Sequence, residues 1–345
     1  MRGHPLMEEP CERILTALLS SEPLPCSGEM LSERLGVSRA QVWKHVNQLR
    51  KRGYHIEGAA GDGYRLTALP DRLYPEEIKR GLKTDWLAQR ILYLDQTEST
   101  NQDAARLARE GAPHGTTVIA ECQTAGKGRL GRQFHSPAYQ NLYTSIVLRP
   151  QMELSTVSTL LLTAGVAVAR TVAEILGSAE RVEIKWPNDV LIGGLKTSGV
   201  LMELEAEENR IQSAILGIGV NLNADPDEFP AEFRARATSL TQEAGAPIDR
   251  TKFSQLLYSI LEEVIDLHCN ADFDAVKPQF EDFFRMKGRK IRVASMDGTE
   301  IEGRTLGIAD QGALELETVS GEQVQVLAGD VTICKDEPNQ ESRSE

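Results

Sequence analysis

Residues 123–135 read Gln-Thr-Ala-Gly-Lys-Gly-Arg-Leu-Gly-Arg-Gln-Phe-His, a run that alternates glycines with fixed cations. Gly126, Gly128 and Gly131 let the backbone approach a ligand closely, while Lys127, Arg129 and Arg132 have no acid near them in the sequence. Such a loop is suited to an anion, and the mutual repulsion of its charges predicts a segment that orders when the anion arrives. The string Gly126-x-Gly128-x-x-Gly131 also fits a dinucleotide fingerprint, but that turn must open a helix, and residues 141–148 read as a strand instead. A phosphate loop of the NTPase kind fails as well, because Glu121 stands where its first glycine belongs and Gly128 follows the lysine. The alternative without a ligand is a solvated, basic hairpin tip.

Four more segments fall at expected strand ends. Thr97-Glu-Ser-Thr-Asn101 can offer hydroxyls and N–H groups to a polar ligand, or can simply cap a helix through Ser99-x-x-Gln102. Lys185-Trp-Pro-Asn-Asp189 sets Asn188 and Asp189 after a rigid proline, Lys196 precedes the strand Ser198–Leu204, and Gly217-Ile-Gly-Val-Asn-Leu-Asn223 ends another with two glycines and two amides. Together these supply amides and hydroxyls for a neutral polar ligand and cations for phosphates.

A separate constellation lies near the N-terminus. Ile14, Leu15, Leu18 and Leu19 form one apolar stripe, a second helix starts near Ser27, Gly36 makes a turn, and Ser38-x-x-Gln41 is a capping box for a third helix with Val42, Val46 and Leu49 inward and Gly53 as its stop. That is helix-turn-helix spacing. The segment Arg39–Arg52 holds five Lys/Arg and no acid, and Arg39, Gln41, Lys44, Asn47 and Gln48 are of types that bond base edges and phosphates. Trp43 is expected to pack at the helix flank, and residues 54–66 read as a two-stranded wing around a glycine-rich tip. A helical unit used only for protein contacts is the competing reading.

These groups must be positioned by a larger body. The 345 residues suffice for two or three domains, with 41% hydrophobic and 26% charged residues, as in ordinary globular chains. A net charge of −13 excludes a general nucleic-acid coat. No apolar run is read as reaching the ~20 residues of a membrane span, no signal peptide is recognised, and a cytoplasmic location is expected. The five scattered cysteines lack a Cys-x-x-Cys pair and indicate free thiols, with no disulfide framework and no metal site. Strand-like runs mixed with helical stretches at 154–176 and 251–269 predict an α+β fold with a mixed or antiparallel sheet. Beyond Gly288, short β runs with turns at Asp297-Gly298, Asp310-Gln-Gly312 and Ser320-Gly321 predict a small SH3-like β-barrel, and residues 335–345 a disordered tail. The expected domains are a winged helix-turn-helix over 11–67, a binding and catalytic domain over 76–283, and the small barrel over 284–335.

Ser99-Thr-Asn101, Gln123 with the Gly-Lys-Gly-Arg-Leu-Gly-Arg loop, Lys-Trp-Pro-Asn-Asp, Lys196 in Lys-Thr-Ser-Gly-Val-Leu, and Gly-Ile-Gly-Val-Asn resemble, in this order, the biotin protein ligases. The N-terminal unit makes the chain similar to the bifunctional kind that also represses the biotin operon. The resemblance covers residues from about 11 to 334. It implies that biotin and MgATP give biotinyl-AMP and pyrophosphate, and that a lysine of the biotin carboxyl carrier protein of acetyl-CoA carboxylase then takes the biotin. By the same resemblance Ser99, Thr100, Asn101, Gln123, Lys127, Gly128, Arg129 and Lys196 hold biotin, and Lys196 and Arg129 act at the reacting oxygens. Gly126, Arg132, Phe134, Asn188 and Asn221 face ATP or the adenylate. ATP with Mg2+ is the co-substrate, operator DNA meets residues 28–47, and a ligand-promoted homodimer and no membrane are implied. A monofunctional ligase for biotin or a lipoate-type acid, its N-terminal domain not repressing, is the alternative. The sequence departs from the family's pattern at Lys127 and Leu130, where Arg is frequent, at Phe134, where Trp is usual, and at Cys334, where Arg is common.

Overall fold

The computed structural model describes residues 7–22, 24–59, 62–153, 156–207, 210–294 and 298–334. The chain forms two compact units, residues 1–77 and 78–345. The first contains α1 (Glu9–Ser21), α2 (Gly28–Leu35), α3 (Arg39–Lys51) and a hairpin of β1 (His55–Ala59) and β2 (Gly63–Ala68). Ser27 caps α2 through Met30 N–H, Gly36 ends it at φ 66, and Ser38 and Gln41 close the capping box that starts α3. Ile14, Leu15, Leu18, Leu31, Val42, Val46 and Leu49 form its core. Trp43 departs from expectation: it is 60% exposed, because it lies between the helix positions that the Val42–Val46–Leu49 stripe buries. The wing's tip, at residues 60 and 61, lies outside the described residues.

A short helix, α4 (Pro75–Gly81), spans the division between the units. In chain order there follow β3 (Ile91–Leu94), α5 (Thr100–Arg109), β4 (Thr117–Ala120), β5 (Leu142–Leu148), α6 (Thr159–Leu176), β6 (Val182–Lys185), β7 (Asp189–Ile192), β8 (Leu195–Glu207), β9 (Arg210–Val220), α7 (Ala231–Arg234), α8 (Leu240–Ala244) and α9 (Arg250–Phe283). The seven strands form one mixed sheet in the order β3-β4-β5-β9-β8-β7-β6, with β3 and β4 parallel and every other neighbour antiparallel. Adjacent residues of β5 identify its two faces: the Thr144 hydroxyl meets Tyr258 of α9 at 2.8 Å, whereas the Ser145 hydroxyl meets Asn101 of α5 at 2.6 Å. On the α5 face, Ala104 and Ala108 pack on Leu94, Val118, Ala120, Val147 and Ile215.

Helix α6 overturns one expectation, since by length and composition it is apolar enough to cross a membrane; 67% of it is buried inside the protein, against α9 and the β6–β8 strands. The expected helix start at residue 154 lies outside the described residues. Helix α9 runs past the expected Cys269 and breaks at Ala271–Asp272 before continuing to Phe283.

Between these helices His268, 1% exposed, meets Thr159 Oγ1 at 3.1 Å and Thr163 Oγ1 at 2.6 Å. Burial lowers its pKa from 6.5 to about 4. On acidification the unfolded chain therefore protonates first, so this contribution to stability is complete above pH 6.5 and drains away as pH falls toward 4. The native protein should lose about 2 kcal/mol from this group between pH 7 and pH 5. His268→Gln should flatten that part of the curve, and denaturant midpoints at the two pH values measure it.

The last strands are β10 (Lys290–Ala294), β11 (Glu300–Ile308), β12 (Leu314–Thr318), β13 (Gln323–Val326) and β14 (Asp330–Ile333), in the antiparallel order β13-β12-β11-β10-β14. Gly298, Gly312 and Gly321 turn at φ 86, 75 and 83. Asp297 and residues 335–345, with the expected tail, lie outside the described residues. These five strands form one antiparallel sheet, and among the described residues no ladder joins β13 to β14 to close the expected barrel.

Candidate active site

Three strand glycines make a floor on the α5 face of the central sheet. Gly217 and Gly219 are two residues apart on β9, and Gly199 of β8 pairs with Gly219. None has room for a side chain without displacement: a Cβ on Gly217 would lie 2.1 Å from Asn101 Oδ1, and one on Gly219 would lie 2.7 Å from the Phe134 ring. Glycine inside a strand weakens it and marks a close approach, and here the approaching groups are those the sequence singled out.

A small hollow of about 30 Å³ above this floor is lined by Ser99, Thr100, Asn101, Gln123, Lys127 and Phe134, among others. Its polar groups are already ordered. The Gln123 Oε1 accepts from Thr100 N–H at 2.9 Å and from its hydroxyl at 3.1 Å, while Gln123 Nε2 donates to Ser136 at 3.1 Å. Ser145 donates to Thr100 Oγ1 and Asn101 Oδ1, and Asn101 Nδ2 donates to Glu203 at 2.8 Å. Ser99 stands at the N-cap of α5 yet makes no capping hydrogen bond, which weakens the helix-cap alternative for its hydroxyl.

Phe134 also borders a larger cavity of about 730 Å³, whose walls include Gly128, Arg129, Arg132, Asn188, Lys196 and Asn221. The fold thus gathers the predicted residues around two adjoining spaces. Lys196, Gly128 and Arg129, assigned to biotin from the resemblance, line the larger one; the Lys196 ammonium also lies 3.2 Å from the position of a Cβ on Gly199, at the rim of the smaller. Gly126 lies beneath the loop, where a Cβ would be 2.7 Å from the Phe134 carbonyl oxygen.

The loop itself is a tight hairpin, with Phe134 N–H donating to Gly126 O at 2.9 Å and Gly128 N–H to Arg132 O at 2.7 Å. Leu130 takes φ 55 and is 50% exposed, a left-handed conformation that costs a side-chain-bearing residue on the order of 1 kcal/mol. The expectation of unneutralised cations is corrected here, because the acids come from distant parts of the chain. Arg132 is paired with Asp330, Lys127 lies 3.9 Å from Glu203, and Lys196 is paired with Asp189. Arg129 donates to Asn188 Oδ1 at 3.3 Å and to Gly329 O at 3.2 Å.

Burial lowers the pKa of Arg129 and of Lys185, which lines the same cavity; Asp189 and Asp330 oppose the shift without cancelling it. Burial would raise Asp330, but the Arg132 hydrogen bond and the charges of Arg132, Lys185 and Arg129 together hold it below the usual carboxylate range. Partly desolvated cations of this kind gain from an incoming anion.

The positioning elements explain the spacing. Trp186 is buried, its indole N–H donates to Gly312 O at 3.0 Å, and the cis Trp186–Pro187 bond lies in the turn joining β6 to β7, where Lys185 pairs with Asp189. Asn188 Nδ2 donates to Val200 O at 2.9 Å and Asn221 Nδ2 to Thr238 O at 3.1 Å, which fixes both amides. Sequence reasoning missed Ser145, Glu203 and Lys185 as site groups, as well as Asp330 and the aromatic pair Phe229 and Phe233 of the larger cavity. Lys185 and Asp189 both stand in the Lys185-Trp-Pro-Asn-Asp189 motif, but Ser145 and Glu203 carry no local signal.

On α3 the predicted nucleic-acid contacts divide into two groups. Arg39 and Lys44 are exposed, Arg39 pairing with Glu29 at 2.7 Å across two solvated side chains. Gln41 is committed to the capping box, Asn47 accepts from Arg50 at 3.1 Å, and Gln48 bonds to His45 at 2.8 Å.

A model of the biotin/lipoate A/B protein ligase family matches residues 93–221, an HTH domain model residues 12–65, and a biotin protein ligase C-terminal domain model residues 288–333. The chain is 42% identical over 295 residues to the bifunctional ligase/repressor BirA of Bacillus subtilis, covering 86% of this chain and 90% of that one. It is 32% identical over 292 residues to the Escherichia coli BirA, covering 84% and 88%. Among solved structures, the biotin protein ligase from Aquifex aeolicus in complex with biotin and ATP is similar at a TM-score of 0.62 and 28% identity, over 72% of this chain and 99% of that one.

Proposed function

The chain belongs to the biotin protein ligase family, and from that premise we propose that its two adjoining spaces divide one two-step reaction between them. It is an ATP-dependent biotin protein ligase, and its helix-turn-helix unit makes it the bifunctional, repressing kind. The observation that carries the reading is the junction at Phe134 of a small polar hollow, in which Thr100, Asn101 and Gln123 are held by hydrogen bonds, with a large cationic cavity.

In the first step the biotin carboxylate oxygen attacks the α-phosphorus of MgATP, and the bond to pyrophosphate breaks. In the second a carrier lysine amine attacks the anhydride carbonyl, the amide forms, and AMP leaves with the bonding electrons. Neither step needs a protein nucleophile; both need alignment and charge stabilisation. Ser99, Thr100, Asn101 and Gln123 hold biotin's neutral ring, and Lys127 and Gly128 close over it. Arg129 and Lys196 stabilise charge on the carboxylate and phosphate oxygens. Arg132, Gly126, Phe134, Asn188 and Asn221 serve the nucleotide side. Pyrophosphate release that requires both biotin and MgATP, followed by biotin transfer to a carrier domain, tests this reading. Consumption of lipoate or octanoate in its place would select the related acid ligases.

We further assign DNA reading to 11–67, binding and catalysis to 76–283, and a supporting role to 284–335, whose Asp330 reaches the loop. One winged unit makes few base contacts, so operator binding requires a dimer on two half-sites, promoted by biotinyl-AMP. Arg39→Ala and Lys44→Ala should each weaken operator binding roughly tenfold and lower the salt slope by about one, with biotinylation intact. Gln48→Ala should do less, because its side chain is held within the unit. Titrations at several salt concentrations, with and without biotinyl-AMP, check both statements.

A further inference from the structure

Away from the cavity, the first unit brings a thiol, an imidazole and a carboxylate to one point. Cys11 Sγ lies 3.5 Å from His45 Nδ1 and 3.3 Å from Gln48 Oε1. His45 Nδ1 lies 3.8 Å from Glu8 Oε2, and the ligating atoms of Glu8, Cys11 and His45 are all within 4.8 Å of one another. In a tetrahedral zinc site, metal–ligand distances of about 2.0–2.3 Å place neighbouring ligand atoms roughly 3.3–3.8 Å apart. The Cys11–His45, Cys11–Gln48 and His45–Glu8 separations fall in that interval, whereas His45 Nδ1 and Gln48 Oε1, 2.8 Å apart, would have to part by about 0.5 Å for both to bind one ion.

Two further features fit an ion. Glu8 occupies the N-cap position of α1 but makes no capping hydrogen bond; its carboxylate is directed across to α3 instead. The Cys11 thiol is 3% exposed and the His45 side chain 12%. Charge also balances: a thiolate, a carboxylate and a neutral imidazole around a divalent cation sum to zero, which a half-buried position tolerates.

We propose that Glu8, Cys11 and His45, with the Gln48 amide oxygen or a water as fourth ligand, form a site for a divalent cation of the zinc class that ties the start of α1 to α3. The pattern is invisible to motif reading because Cys11 and His45 stand 34 residues apart. Binding replaces the thiol proton, which leaves to solvent, and the Cys11–Gln48 and His45–Gln48 hydrogen bonds give way to bonds to the ion. Burial first, and the Glu8 charge second, push the Cys11 thiol up to about 11, so the ion competes with a firmly held proton and its affinity falls as pH falls. The ion would fix the helix that carries Arg39 and Lys44. The inference is independent of the ligase reading.

The test uses the reduced, metal-free full chain without a histidine tag, titrated with Co2+. A thiolate-to-cobalt charge-transfer band should saturate at one equivalent and be bleached by Zn2+. It should vanish in Cys11→Ser, persist in Cys122→Ser and Cys269→Ser, and need at least tenfold more Co2+ in His45→Gln and Glu8→Gln. Should Cys11→Ser fail to fold, as circular dichroism would report, the His45 and Glu8 variants decide. No band, a band unaltered in the Cys11 or His45 variants, or one lost with Cys122 or Cys269 overturns the proposal.

Discussion

Lys196→Ala lowers biotin-dependent pyrophosphate release by a factor on the order of 100 to 1,000, the usual consequence of losing one donor aimed at developing charge. The structure adds a second reason. Lys196 is paired with Asp189, whose side chain is only 17% exposed, so truncation removes the cation in direct contact with a carboxylate in the cavity that must accept a triphosphate. Asp189→Asn in the Lys196→Ala background should therefore recover part of the loss, which a merely structural lysine would not allow. Initial rates of pyrophosphate formation in the single and double variants measure it. A Lys196→Ala rate near wild type removes this residue from the reacting centre.

Gly217→Ala raises the KM for biotin at least tenfold and leaves the KM for ATP near its original value. One methyl group suffices because its carbon would sit 2.1 Å from Asn101 Oδ1. That oxygen cannot simply swing aside: it accepts from Ser145, and the amide nitrogen of the same side chain is held by Glu203. Displacing Asn101 breaks one buried and one part-buried hydrogen bond, with a stability loss of about 1–3 kcal/mol. Equal changes in both KM values would mean that the substitution disturbs the sheet as a whole.

Much of this architecture was legible in the sequence where the signal is local. The Ser38–Gln41 capping box, the Gly36 turn and the Val42–Val46–Leu49 stripe gave α3 its limits and its inner face. The wide run of apolar residues in β5 and the β8–β9 hairpin likewise followed from composition. What failed was non-local. The loop's cations found their acids about 76 to 198 positions away in Glu203 and Asp330, which no reading of adjacent residues can supply (203 − 127 and 330 − 132). Strand β7 was overlooked because Trp186-Pro187 reads as a break, whereas it turns the chain back into a second strand. Gln41 and Gln48, read as DNA contacts from their place on the outer face of α3 and their residue type, also make hydrogen bonds within the unit that adjacent residues alone do not foretell.

The internal pairing of the cavity's cations bears on how fast it fills. Arg132, Lys127 and Lys196 each have a carboxylate of the protein within reach, so at long range their fields largely cancel, and what an approaching polyphosphate meets is a chain of net charge −13. Attraction is felt only at contact, when ligand oxygens replace Asp330 and Asp189 beside the cations. Capture of the nucleotide should then be slowed by distant repulsion and hastened by added salt, as the screening length shrinks from about 30 Å at 0.01 M to about 8 Å at 0.15 M. Stopped-flow association of MgATP over that range would show the acceleration, a trend opposite in sign to the one expected for the same protein on DNA.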